Sequence, residues 1–353
     1  MKKINLAITG CLGRMGQQLI KSSKSANNFK LVSITENRII KKKVYGLRPE
    51  LNSVSAFKKA NIIIDFTVPK CTLEVLKIAS KLKKRVVIGT TGFSKKEENL
   101  IKKYSRKIPI LKAGNMSLGI NLLMYLTEIA SKSLGNNFLS KVFEVHHKHK
   151  KDHPSGTALM LGKGIVTGKN EDFYKLIGKK YLNKKAFPYS KKINFNSIRK
   201  GKIVGNHKVL FSSGKEMITL DHEAFDRSLY SEGAFTAAKW LMNKKPGLYS
   251  MRDVLNFKWT KFKDLKKYFN KKTFPYSKKI NFNSIRKGEI IGNHKVLFSN
   301  GKETITLDHE AFDRALYSEG AFTAAKWLMN KKPGLYSMRD VLNFKWMKFK
   351  GLK

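Results

Sequence analysis

The chain is short of several residue types, and each shortage excludes something. Two cysteines, Cys11 and Cys71, in 353 residues cannot build a disulfide framework and do not have metal-ligand spacing, which fits a reducing compartment. Eight prolines and 25 glycines are too few for a low-complexity or collagen-like chain. No run approaches the roughly 18 apolar residues of a membrane-spanning helix. The start, Met1-Lys2-Lys3-Ile4, lacks the apolar core and small-residue cleavage site of a signal peptide. A cytoplasmic location without membrane attachment is therefore expected.

Acidic residues are also scarce, 25 against 72 lysines and arginines, for a formal charge of +47. Such a charge raises the question of nucleic-acid binding. Arginine, however, accounts for only eleven of the 72 basic residues, and base and phosphate readers favour its planar fork. The charge is also spread evenly along the chain. Compositional bias toward lysine explains it better than a dedicated binding face. No specific nucleic-acid partner is expected, although non-specific anion binding follows from the charge alone.

What is present is globular. Apolar residues make up 41% and charged residues 27%, and the length suits two domains of ordinary size. Residues 181–266 and 268–353 align without a gap and agree at 77 of 86 positions. Two long copies do not make a solenoid; near-identity is the mark of a recent tandem duplication or an assembly artefact.

Up to residue 135 the pattern alternates. Strands are expected at 4–9, 30–35, 61–66, 85–89 and 108–111, and helices at 13–22, 71–82, 95–106 and 118–134. Short continuous apolar strands between amphipathic helices predict an α/β fold with a Rossmann-like, doubly wound parallel sheet. From about 138 the pattern changes. Strands at 139–147, 192–198, 202–211 and 217–222, and helices at 155–167 and 231–242, predict a second α+β domain with a mostly antiparallel sheet.

The first motif, Gly10-Cys11-Leu12-Gly13-Arg14-Met15-Gly16, sits on the first strand–helix junction. Glycines there permit a tight turn and close approach of the backbone to a pyrophosphate, and the helix start supplies free N–H groups. An acid, Glu36, follows at the end of strand two, where it can hold a ribose diol. Arg38 and Lys41–Lys43 come next and could accept a 2′-phosphate, so NADH and NADPH both remain open. Gly89-Thr90-Thr91-Gly92, Ala113-Gly114-Asn115-Met116-Ser117 and the Asp65-Phe66-Thr67 turn lie at further strand ends. Each alone could be turn chemistry; together they line one sheet edge.

The densest constellation is Glu144-Val145-His146-His147-Lys148-His149-Lys150-Lys151-Asp152-His153-Pro154-Ser155-Gly156-Thr157. A zinc site is one reading of four clustered histidines, but no cysteine is near; a solvated basic loop is another. The reading preferred here is an anion site with a proton-transfer group, without a metal. Histidine titrates near neutrality, lysine offers charge and a proton, and Ser155-Gly156-Thr157 opens a helix whose free N–H groups can cradle a carboxylate.

GCLGRMG, DFT-x-P, GTTGF, AGNMSLGINLL and above all EVHHKHKKDHPSGTAL resemble the 4-hydroxy-tetrahydrodipicolinate reductase family, also called dihydrodipicolinate reductases. The resemblance runs in order from residue 1 to about 266; the extra copy has no counterpart. It implies NADH- or NADPH-dependent reduction of a cyclic imine-type dicarboxylate, on the route to lysine and diaminopimelate, usually by a homotetramer built through sheets of the second domain. By motif position it implies that His146 is the proton donor and acceptor and Lys150 the second catalytic group. His147, Ser155, Gly156 and Thr157 would meet the substrate. Gly10, Cys11, Leu12, Gly13, Arg14, Met15, Glu36, Arg38, Gly89, Thr90, Thr91, Ala113, Gly114, Asn115 and Met116 would hold the dinucleotide. Asn37 stands where the family often has arginine, with Arg38 beside it. The lysine-rich stretch 168–196 departs most from the family pattern.

The domain organisation then expected is a dinucleotide-binding domain, 1–117, completed by a return segment near 240–266. A substrate-binding and oligomerisation domain, 118–239, comes between, and 268–353 is the duplicate. Copy one is expected to complete the subunit because it connects as in relatives. The duplicate would expose apolar residues such as Trp327 and Leu328. Docking of copy two instead, or strand exchange between subunits, are the rivals.

Overall fold

The computed structural model describes residues 3–173, 193–255, 284–285 and 288–342. Within them the chain forms two compact units, one up to Leu122 together with 226–255, the other comprising 123–225 and the described part of the duplicate.

The first unit opens with β1 (Ile4–Thr9), α1 (Arg14–Ser23), β2 (Phe29–Thr35), the short α2 (Val54–Lys58), β3 (Ile62–Asp65), α3 (Pro69–Lys81), β4 (Arg85–Ile88), α4 (Lys95–Ser105) and β5 (Pro109–Lys112). The strands pair in parallel, and their residues alternate between two cores. Leu6, Ile8, Ile62 and Ile64 face one side, while Ala7 and Ile63 face the other with Phe57, Val75, Leu76 and Ile101. A strand covered on both faces must be apolar throughout, which is why Ile-Ile-Ile-Asp reads as a continuous run. The helix ends are equally legible. Ser94 and Glu97 close a capping box on α4, where Glu97 and Glu98 in the first turn and Lys102 and Lys103 in the last match the helix dipole, against Lys95 and Lys96 at its start. Pro69 occupies the first turn of α3, where its missing N–H costs nothing.

After the long α5 (Leu118–Leu134), the second unit runs β6 (Leu139–His146), α6 (Gly156–Lys169), β7 (Asn194–Arg199), β8 (Gly205–Ser212) and β9 (Glu216–Ala224). β6 pairs in parallel with β7 and antiparallel with β8, and β8 pairs antiparallel with β9. The expected strand at 192–198 begins two residues later, and residue 192 lies outside the described residues.

The chain then returns to the first unit through α7 (Ser228–Leu241), β10 (Gly247–Tyr249) and α8 (Met251–Val254). α7 buries Leu229, Ala234, Phe235, Ala237, Ala238 and Leu241. It approaches closely at Gly233, where a Cβ would stand 1.8 Å from the Met116 carbonyl oxygen. Ser231 meets Ser22 of α1 at 2.8 Å. β10 pairs in parallel with β5, completing a six-stranded sheet of order β10-β5-β4-β3-β1-β2.

The duplicate contributes β11 (Gly292–Ser299), β12 (Glu303–Ala311), α9 (Ala315–Leu328) and α10 (Met338–Val341). β12 pairs antiparallel with β9, so the second sheet has the order β11-β12-β9-β8-β6-β7. α9 buries no residue, although its sequence repeats α7 almost completely. Trp327 is half-buried and Leu328 exposed. Among the described residues no helix is long and apolar enough to cross a membrane.

Candidate active site

In the first unit, parallel pairing brings the carboxyl ends of β1 to β5 to one sheet edge. The chain leaves β1 for β2 on one side and returns to β3 on the other, which makes the crevice between β1 and β3 the natural ligand position. The glycine loop forms its floor. Gly10 is left-handed at φ 61°, and the Gly13 N–H returns to the Gly10 carbonyl at 3.0 Å. A Cβ on Gly16 would lie 2.0 Å from that same carbonyl, so only glycine lets α1 start against the loop. α1 has no side-chain cap and no acid in its first turn, which leaves its amino end open to an anion.

Glu36 receives the Leu12 N–H on Oε2 at 3.0 Å and the Asn37 N–H on Oε1 at 2.9 Å. The Cys11 thiol also meets Oε2 at 4.0 Å, so Oε1, which accepts the single Asn37 N–H, keeps acceptor capacity for a ribose hydroxyl. Arg14 and Arg38 are exposed. Cys11 is buried; burial and the Glu36 charge push its thiol up to about 11, so it contributes shape and not nucleophilicity.

The neighbouring loops are tied by buried Asp65, which accepts hydroxyl bonds from Thr9 at 2.5 Å, Thr67 at 2.7 Å, Thr90 at 3.0 Å and Thr72. Gly89 lies against the Phe66 ring, where a Cβ would come within 2.2 Å. Thr91 is exposed beside it. Ala113 is held by its N–H to Ile88 at 3.0 Å. Exposed Gly114 follows, then half-buried Asn115 and buried Met116. Asn115 caps the turn by accepting the Ser117 N–H at 2.9 Å. The residues expected around a dinucleotide lie on loops at one sheet edge, and the cramped glycines, the uncapped start of α1 and an acid at the end of β2 fit that group.

In the second unit, β6 alternates buried and half-buried positions, so Glu144 and His146 lie on its buried face. The Glu144 carboxylate bonds His146 Nδ1, accepts the Ser155 N–H at 3.0 Å and accepts Arg199 Nη2 at 2.8 Å. Burial alone would raise its pKa; the bonds from His146 and Arg199 outweigh that and hold the carboxyl well below the usual carboxylate range. An ionised Glu144 accepts a hydrogen bond from His146 Nδ1, which leaves Nε2 on the far side of the ring from that carboxylate. A Cβ on Gly205 would come within 3.0 Å of that Nε2.

His207 meets the His146 ring edge-on at 4.9 Å and lies 3.3 Å from the Ser155 hydroxyl. Burial, with His146 and His222 nearby, pushes its pKa well down. Glu144, His146 and His207 could meet around a metal ion, but the Arg199 guanidinium already supplies a cation to that carboxylate.

Lys150 is ion-paired to Asp152 at 2.7 Å. Burial works against ionisation of Asp152, yet the bond and charge of Lys150 outweigh it and lower its pKa. Arg199 braces this loop too, bonding the carbonyls of Lys150 at 3.3 Å and Asp152. Ser155 caps α6 by accepting the Ala158 N–H at 3.2 Å. Gly156 is exposed, with nothing within 4 Å of where a Cβ would stand; Thr157 and His147 are half-buried. The amino end of the 14-residue α6, capped by Ser155 and bonded through the Gly156 N–H to Asp152, stands beside a histidine and a lysine, groups that can meet an anionic substrate and supply a proton.

Sequence reasoning quoted Glu144 but gave it no role, and missed Arg199 and His207. Arginine's scarcity was the available signal for Arg199, since Ser197-Ile198-Arg199-Lys200 puts one of few arginines into a lysine-rich stretch.

Comparison with known proteins matches residues 4–116 to the family model "Dihydrodipicolinate reductase, N-terminus". Residues 119–255 and 263–342 match "Dihydrodipicolinate reductase, C-terminus". The 4-hydroxy-tetrahydrodipicolinate reductase of Pelagibacter ubique is 75% identical over 258 residues, all of that protein and 73% of this chain. The enzyme of the same name from Buchnera aphidicola subsp. Schizaphis graminum is 42% identical over 272 residues, 99% of that protein and 73% of this chain. A dipicolinate-bound dihydrodipicolinate reductase from Paenisporosarcina sp. TG-14 superposes with a TM-score of 0.58 at 23% identity, covering 71% of this chain and 99% of that one, a likeness of fold.

Proposed function

The chain belongs to the dihydrodipicolinate reductase family, and from that premise we propose how its residues carry out the family's reaction. The activity is the NADH- or NADPH-dependent reduction of 4-hydroxy-tetrahydrodipicolinate to tetrahydrodipicolinate in lysine and diaminopimelate biosynthesis. The dinucleotide, when bound, supplies a hydride.

The glycine loop and the open start of α1 bind pyrophosphate, and Glu36 takes the adenosine ribose. Arg38, exposed next to Asn37, is available to a 2′-phosphate. In the second unit, the amino end of α6 at Ser155, Gly156 and Thr157, with His147, binds a substrate carboxylate. His146 exchanges a proton at Nε2, positioned through Nδ1 by Glu144. Lys150, held by Asp152, supplies a proton as the hydride arrives, and the substrate's 4-hydroxyl leaves as water, so that one hydride and one proton balance the reduction. The observation that carries this reading is the buried Glu144 carboxylate, bonded at once to His146, Arg199 and the start of α6.

Substrate-dependent oxidation of NADH and of NADPH by the full chain tests it. His146→Ala and Lys150→Ala are each expected to lower kcat by about 10²–10⁴-fold; His146→Ala also loses a buried bond to Glu144 at a cost of about 1–3 kcal/mol, so its turnover is measured well below its own unfolding temperature. Turnover within a few-fold of the parent in either variant removes that residue from the chemistry. For the stretch shared with relatives, a cytoplasmic homotetramer without a specific nucleic-acid partner is the expected form, and light scattering gives its mass.

A further inference from the structure

β9 and β12 are copies of one another, differing only at Met217 and Thr304, and they pair antiparallel in a register with its own symmetry. Leu220 faces its own counterpart, Leu307, and every other pair is arranged symmetrically about that centre. Side-chain contacts obey the same two-fold relation. His222 Nε2 meets Glu303 Oε2 at 2.8 Å, and the equivalent His309 Nε2 meets Glu216 Oε2 at 2.8 Å. The backbone repeats it once more: the Phe225 N–H bonds Lys302 O at 2.8 Å, and its equivalent Phe312 N–H bonds Lys215 O at 2.7 Å.

A strand whose edge fits its own sequence, inverted, is an isologous surface. Each histidine of Glu216-x-x-x-x-x-His222 reaches the glutamate diagonally opposite, as antiparallel neighbours two positions out of register can. His222 and Glu303 are both buried by this pairing. Without β12, β9 would be an open edge carrying unpaired N–H and carbonyl groups.

We propose that the duplicated segment is a tethered partner. Its β12 fills, from within the same chain, a self-complementary edge that β9 would otherwise offer to β9 of a second chain. The duplicate thus closes one subunit interface internally, whatever reaction the chain catalyses.

Lys215, the residue just before β9, is ion-paired to Glu319 of α9, which permits a test on the unaltered full chain. Zero-length carbodiimide coupling at low protein concentration joins ion-paired lysine and glutamate. Met217 and Thr304, and Ser228 and Ala315, distinguish the otherwise similar peptides of the two copies. The expected product is a Lys215–Glu319 link in material of single-chain mass, abolished in Glu319→Gln. A Lys215–Glu232 link, a Lys215–Glu319 link confined to material of double mass, or no link at Lys215 overturns the proposal.

A disulfide test reads the symmetry centre independently, since antiparallel partners lie about 4.5–5.5 Å apart at Cα, within disulfide reach. L220C/L307C is expected to form an intrachain disulfide, and L220C alone none between chains. A dimer linked through two copies of residue 220 in the single variant would show that β9 pairs with β9 across chains, and the tethered-partner proposal would fall.

Discussion

Glu144 is the residue on which the second unit's site turns. Its two oxygens hold a histidine, an arginine and a helix start, so neutralising it leaves the Arg199 charge without its buried partner. Glu144→Gln is expected to cost on the order of 3 kcal/mol, the usual scale for breaking a buried ion pair from one side. The dependence on pH has a definite sign. The folded-state pKa of Glu144 is depressed, so its contribution is complete above the unfolded carboxylate value of about 4.3. It fades as pH falls below that value toward the folded one. Urea midpoints of parent and variant should therefore differ most near pH 6 and converge toward pH 3. A gap independent of pH would mean that the carboxylate charge contributes nothing. This role was half legible in the sequence. The period of two along β6 puts Val142, Glu144 and His146 on one face, and an acid two residues before a histidine on a buried face needs a cationic partner. Which cation serves was not legible, because Arg199 arrives from β7 through a parallel pairing 55 residues away.

Between elements, the two copies of one helix offer an internal control. α7 packs Gly233 onto the Met116 backbone, whereas the equivalent Gly320 of α9 has nothing within 4 Å of where its Cβ would be. The same Gly→Ala change should act oppositely in the two copies. In Gly233→Ala, overpacking against a carbonyl is expected to cost at least about 1–3 kcal/mol. In Gly320→Ala, the higher helix propensity of alanine is expected to be neutral or to add up to about 1 kcal/mol. Chemical denaturation of the two variants decides; equal effects would mean that α7 and α9 are packed alike. Most elements of the first unit were readable because each strand is a continuous apolar run and each helix carries its own caps. β10 was not assigned: three residues, Gly247–Tyr249, after Pro246 carry no strand signal of their own, and they become a strand because β5 offers an edge to pair with. The union of β9 with β12 was hidden for a related reason, since period and propensity describe a strand but not which distant edge accepts it.

At the scale of the whole molecule, the duplicate adds apolar surface to a chain of high positive charge. α9 repeats the sequence that α7 buries, yet Phe322 is 74% and Leu328 49% exposed, and Met329 beyond them 84%. Large apolar side chains left exposed on a helix favour self-association, while a formal charge of +47 keeps like molecules apart as long as its field extends beyond the surface. The two effects depend differently on salt. The screening length falls from about 10 Å at 0.1 M to about 3 Å at 1 M, whereas apolar association is not weakened by that screening. The full chain is therefore expected to gain mass in light scattering as sodium chloride rises from 0.1 to 1 M. Phe322→Lys combined with Leu328→Lys should suppress that gain and leave the mass at 0.1 M unchanged. The substitutions lie on a helix with no buried residues, so folding should tolerate them. A mass that falls with salt, or that rises equally in the double variant, would place the association on charge pairs and not on the unpartnered face of α9.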